Sequence, residues 1–201
     1  MIIRVGNTDY TLSFSFVALI VFMVLIKEDR IVLLSLLSSF VHEAGHFIFM
    51  KINKAYIDEV KFGLFGMRIE RIKAGALSFY KEMMIAAGGI IFNLLFSLIC
   101  YIIYEINRNS NLLILSAVNI IIAAVNSIPV GILDSGRIIY CILMIYYDES
   151  EAEKIIDCIS FIFTVLFSLF TLIYCLSSGI NLSLLIINLY LFTVIVFKKW
   201  S

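Results

Sequence analysis

Proline occurs once in 201 residues and histidine twice, and charged side chains make up only 15% of a chain that is 62% hydrophobic. So little polar surface cannot cover a water-soluble core, which excludes an ordinary soluble domain. No basic patch interleaved with aromatics is present, so nothing points to a nucleic-acid partner. No small-residue cleavage site closes the first apolar stretch, which therefore reads as a retained helix and not as a removed signal peptide. Cys100, Cys141, Cys158 and Cys175 lack paired metal spacing and lie in or beside apolar runs, where they read as core thiols. Also missing are a Ser-His-Asp set, a phosphate-cradling loop, a dinucleotide fingerprint and a haem attachment motif.

What is present is apolar length. Mean hydropathy is +1.06, and a bilayer crossing needs about 20 mostly apolar residues. Six candidate spans emerge, at about Thr11 to Ile26, Ile31 to Met50, Glu82 to Tyr104, Leu112 to Tyr146 with an interruption, Ile155 to Leu176, and Leu182 to Phe197. The fourth is broken at Asn126-Ser127-Ile128-Pro129-Val130-Gly131, where proline removes a donor and glycine relaxes the backbone. The expected fold is an α-helical polytopic membrane protein with about six transmembrane helices, forming a single domain over residues 1–201 with no CBS or PDZ module.

The net charge of zero conceals segregation. With both termini in the cytoplasm, the inside segments hold Arg4, the basic stretch from Lys51 to Lys81, Arg137, Lys154, Lys198 and Lys199, leaving Lys27, Arg30 and Arg108 outside. The acidic run Asp148-Glu149-Ser150-Glu151-Ala152-Glu153 reads as a solvated connector. Between Tyr56 and Lys73 short alternating stretches with glycines at bends predict one or two β-strands at the membrane surface. A strand edge around Phe65 and Gly66 would hold an extended substrate by main-chain hydrogen bonds, and a plain amphipathic linker is the competing reading.

Inside the second apolar run stands His42-Glu43-Ala44-Gly45-His46, which contains both histidines of the chain. Residues four apart stack on one helix face, so His42 and His46 can offer two imidazole nitrogens to one cation while Glu43 projects beside them. Zinc with three protein ligands and a water lowers that water's pKa toward about 7, and a neighbouring carboxylate can take the proton as water attacks a carbonyl. The bland alternative is two packing histidines that happen to fall four apart. A carboxylate at mid-membrane is costly, however, at roughly 2.5 to 3.5 kcal/mol on insertion scales, and so marks function by default. His46 lies five residues before Lys51, which puts the metal roughly 7 to 8 Å inside the cytoplasmic end of its helix.

A third protein ligand must come from elsewhere, and Asp134, beyond the break in the fourth run, is the best candidate. Counted helically from Leu112 it lies about 33 Å along, near the level of His46. Its competing roles are an ion pair with Arg137 or the cap of a short helix. Asn93 and Asn126 are polar residues deep in apolar surroundings, where bonding between helices is the default and support of a substrate carbonyl is the alternative. Gly88 and Gly89 allow close helix approach or a backbone bend.

These residues resemble the site-2 protease family of intramembrane metalloproteases, in the compact branch that includes stage IV sporulation protein FB. His42-Glu43-Ala44-Gly45-His46 is similar to the family's zinc helix, which implies His42 and His46 as ligands of one zinc ion per chain and Glu43 as general base. The block from Asn126 through Pro129 to Asp134 and Gly136 resembles the family's second motif and implies Asp134 as the third ligand. Ala87-Gly88-Gly89-Ile90-Ile91-Phe92-Asn93 resembles a glycine-x-x-x-asparagine element and implies a place for Asn93 near the substrate. Ile90, Gly131 and Ile132 stand where the family often has proline, and Ser135 replaces a frequent glycine; these departures touch backbone shape and not the ligating groups. The implied activity is hydrolysis of a peptide bond in or near the transmembrane segment of a single-pass or small membrane protein. The rival readings are a membrane transporter, against which the chain shows no inverted repeat or second charge cluster, and a metal-binding protein without proteolytic activity.

Overall fold

The computed structural model describes residues 2–5, 8–12, 30–55, 59–63, 66–70, 77–179 and 182–198. The chain divides into two compact units, Met1–Ala123 and Ala124–Ser201.

In the first unit a four-stranded sheet has the order β1 (Ile2–Val5), β2 (Thr8–Leu12), β3 (Glu59–Gly63), β4 (Gly66–Glu70). β1 and β2 pair antiparallel, β2 and β3 run parallel from Asp9↔Glu59 to Leu12↔Phe62, and β3 and β4 pair antiparallel from Glu59↔Glu70 to Gly63↔Gly66. Thr11 and Leu12, where the first apolar stretch begins, therefore belong to a strand. Partner choice in a sheet is non-local, and no hydropathy window over residues 11–26 can see Lys61 and Phe62. The rest of that predicted span, residues 13–26, lies outside the described residues.

Among the described residues the unit also holds three helices: α1 (Arg30–Ile52), α2 (Phe79–Asn107) and α3 (Ser110–Asn126), the last of which ends in the second unit. α1 stops where the Asn53 amide donates to Phe49 O at 2.8 Å and Lys54 takes a left-handed φ of 52°. α2 stops the same way, with Arg108 at φ 52° donating its N–H to Tyr104 O. Asn109 then accepts from the N–H of Asn111 at 3.0 Å, which starts the antiparallel α3 after a two-residue connection.

The second unit holds α4 (Asp134–Tyr146), α5 (Glu149–Ser178) and α6 (Leu182–Lys198). The acidic run expected as a connector is the cap and first turns of α5. Asp148 accepts from Glu151 N at 2.9 Å, and Glu149 and Glu151 lie where the helix dipole favours negative charge.

The helices are inverted relative to those of a soluble protein. α1 buries Ser38, His42 and Gly45 while exposing Leu33, Leu37 and Phe40. α2 buries Gly88, Gly89, Asn93 and Ser97 and exposes Leu94, Leu95, Leu98 and Ile99, and α5 buries Ser160, Thr164 and Thr171 and exposes Phe161, Leu166 and Phe170. Small and polar inside with large and apolar outside is what a lipid solvent selects, because helix association there rests on close packing and interhelical hydrogen bonds. α1, α2 and α5 are long and apolar enough to cross a membrane. The protein is a helical membrane protein.

Candidate metal centre

α1 and α2 pack with almost no space between their backbones at one point. A Cβ on Gly45 would strike the carbonyl oxygen of Gly88 and lie 2.8 Å from Phe92 Cβ, and a Cβ on Gly88 would lie 2.8 Å from Gly45 O. At the next residue, a Cβ on Gly89 would come within 2.6 Å of both His42 Cε1 and His46 Nε2. The imidazoles therefore occupy the room that Gly89 leaves. Gly88 and Gly89 were expected to permit close approach, and each meets a different part of α1.

His46 Nδ1 lies 2.8 Å from the carbonyl oxygen of Ile85, an acceptor only, so Nδ1 carries the proton and Nε2 keeps its lone pair. That lone-pair nitrogen lies 3.2 Å from His42 Nε2, with the two rings edge to face at 90°. Two nitrogens bound to one tetrahedral zinc at about 2.0–2.1 Å stand roughly 3.3 Å apart. The donor pair fits that ion, and a carbonyl fixing the far nitrogen of a ligating histidine is the usual outer support. Glu43 follows His42 on α1 and is half-buried.

Further along the same α2 face, Asn93 is fully buried, and neither amide atom has a hydrogen-bond partner among the described residues. Two residues with no sequence signal join it in the interior. Ser38, one turn before His42, donates to Leu34 O and accepts from the Asn119 amide at 2.8 Å, and Asn119 also donates to Leu115 O. Nearer the turn between α2 and α3, the hydroxyls of Ser97 and Ser116 bond each other at 2.9 Å and each reaches the other residue's carbonyl oxygen. These bonds tie α3 to both α1 and α2. Neither Ser38 nor Asn119 is legible in the sequence, because the bond between them joins residues 81 positions apart.

In the second unit, Asn126 ends α3 and Asp134 opens α4, both half-buried. Leu133, and not Asp134, stands at the N-cap of α4. Between them the chain turns as Pro129 requires, with Val130 N donating to Ile128 O and Leu133 N to Val130 O, both at 2.8 Å. Of the expected strand-edge pair, Gly66 opens β4 and Phe65 lies outside the described residues.

No protein-family model and no curated protein matches the sequence. Among solved structures the chain is similar to a site-2 protease from Methanocaldococcus jannaschii, at 19% sequence identity and a TM-score of 0.67, with 96% of this chain and 92% of that one covered. Over nearly its whole length, the chain has the fold of a site-2 protease.

Proposed function

We propose that the protein is a zinc-dependent intramembrane protease of the site-2 family, cleaving a peptide bond within or near the transmembrane segment of another membrane protein. The observation that carries this reading is the pair of Nε2 atoms 3.2 Å apart on one buried helix face, with the His46 ring held through its Nδ1 by the Ile85 carbonyl. The fold it shares with a site-2 protease supports the same reading.

His42 and His46 would hold the ion, with Asp134 as third ligand. The bound zinc would supply Lewis acidity toward the scissile carbonyl and acidify water for attack. Glu43, adjacent to His42, receives the proton of the attacking water and returns it to the leaving amine nitrogen. Asn93 brings a donor and an acceptor to the substrate backbone, and Asn126 supports the carbonyl. The site lies toward the cytoplasmic side, both termini are cytoplasmic, and the substrate is a single-pass or small membrane protein. Its helix must unwind locally, since a helical amide is hydrogen-bonded and shielded. Gly66, with Phe65 beside it, offers strand β4 for the unwound segment to pair with.

Removing the metal is the direct test. The purified protein in liposomes should carry one zinc per chain and cleave a co-reconstituted single-span substrate. Treatment with 1,10-phenanthroline should lower the rate at least about a thousandfold, because several kcal/mol of transition-state stabilisation is lost, and added zinc should restore it. Undiminished cleavage by metal-free protein, or ion flux without cleavage, would overturn the proposal.

A further inference from the structure

We propose that Ser160 on α5 is a positioning residue for Asp134. The role rests on the reading above, in which Asp134 is a metal ligand.

Five residues before α4, Pro129 interrupts the backbone hydrogen bonds of an apolar segment, and the donors that follow need acceptors from elsewhere. Ser135 returns its hydroxyl proton to Ile128 O, which ties the first turn of α4 back across the break. The N–H of Gly131 is met from another helix, by Ser160 Oγ at 2.8 Å, and the same hydroxyl donates to Ile156 O at 2.6 Å. Ser160 is 4% exposed, so no bulk water competes for that bond. Donating to its own helix orients the hydroxyl, so its lone pair is directed at Gly131.

The consequence reaches Asp134 through packing. Val130 is 1% exposed, and a Cβ on Gly136 would strike its carbonyl oxygen and lie 2.6 Å from Gly131 Cα. The first turn of α4 thus rests directly on Val130–Gly131, and the residue that begins that turn is Asp134. Holding Gly131 fixes the seat of the turn, and the seat aims the carboxylate. A backbone amide in an apolar interior that loses its acceptor will move to find another, and Asp134 would move with it.

The test measures zinc affinity of the full chain in detergent by competition with a chromophoric chelator, a readout that does not depend on cleavage. Ser160→Ala should weaken zinc binding about 10- to 100-fold, the range for loss of a group that orients a ligand. Ser160→Thr, which keeps the hydroxyl, should bind like the wild type, and Ser160→Val, of the same shape without it, should behave like the alanine variant. Gly131→Pro removes the N–H altogether. In that background Ser160→Ala should cost nothing further. Zinc affinity unchanged in Ser160→Ala and Ser160→Val, even with a lowered melting temperature, overturns the positioning role and leaves the protease reading standing. A wild-type chain that binds no zinc overturns both.

Discussion

Replacing Glu43 with glutamine is expected to lower the cleavage rate by about 100- to 10,000-fold, the usual contribution of a positioned general base, while zinc content stays at one per chain. Glutamine keeps the length and hydrogen-bonding shape of the side chain and removes only its ability to accept a proton as a base. Glu43 is half-buried on α1, and the neighbouring His42 and His46 owe their placement to Gly89 and to the Ile85 carbonyl, neither of which the substitution touches. Folding and metal binding should therefore survive, and substrate should still bind, so kcat falls while KM changes little. The inert variant would then retain substrate, and mass spectrometry of proteins that co-purify with it would identify what the enzyme cleaves. Cleavage within about tenfold of the wild type would remove Glu43 from the mechanism and require another base, since tenfold is below what general-base loss costs.

Much of this arrangement is legible in the sequence, because lipid imposes strong and simple rules. Apolar length locates α1, α2 and α5, and Pro129 marks the break between Asn126 and Asp134, since each of these signals is local in sequence. The histidine pair was legible for the same reason, as helix periodicity alone stacks residues four apart. What escaped was non-local. Serine in an apolar run carries no spacing signal, so the roles of Ser38, Ser97 and Ser160 depend on Asn119, Ser116 and Gly131 in other elements. The pairing of β2 with β3 joins residues fifty apart, and it assigns Thr11 and Leu12 to a strand that the hydropathy of residues 11–26 concealed. The acidic run at Asp148 was misread because charge alone does not distinguish a solvated loop from a helix start. The bond from Glu151 N to Asp148 decides it.

Gly45 on α1 and Gly89 on α2 both lie where the same helix pair packs closely, yet alanine at each should fail in a different way. At Gly45 the new Cβ meets backbone, the Gly88 carbonyl, together with the Cβ of Phe92, and neither can rotate aside. α1 and α2 must separate there, which costs about 1–3 kcal/mol in overpacking and more when the obstacle is main chain. Gly45→Ala should lower the melting temperature of the purified protein by several degrees and reduce its yield from membranes. At Gly89 the obstacles are the imidazoles of His42 and His46, which are side chains and can turn. His46 can turn only by breaking its bond to Ile85 O, and either rotation destroys the 3.2 Å approach of the two Nε2 atoms. Gly89→Ala should therefore fold with a nearly unchanged melting temperature in the absence of zinc while its zinc affinity falls by about 100-fold or more, the upper end of what disturbing a ligand's outer support costs. Cleavage should fall in proportion at limiting zinc and recover partly when zinc is raised, because the lost binding is a mass-action deficit. Gly45→Ala should show no such recovery. A Gly89→Ala protein that binds zinc like the wild type would mean that the ion is not held between these two nitrogens.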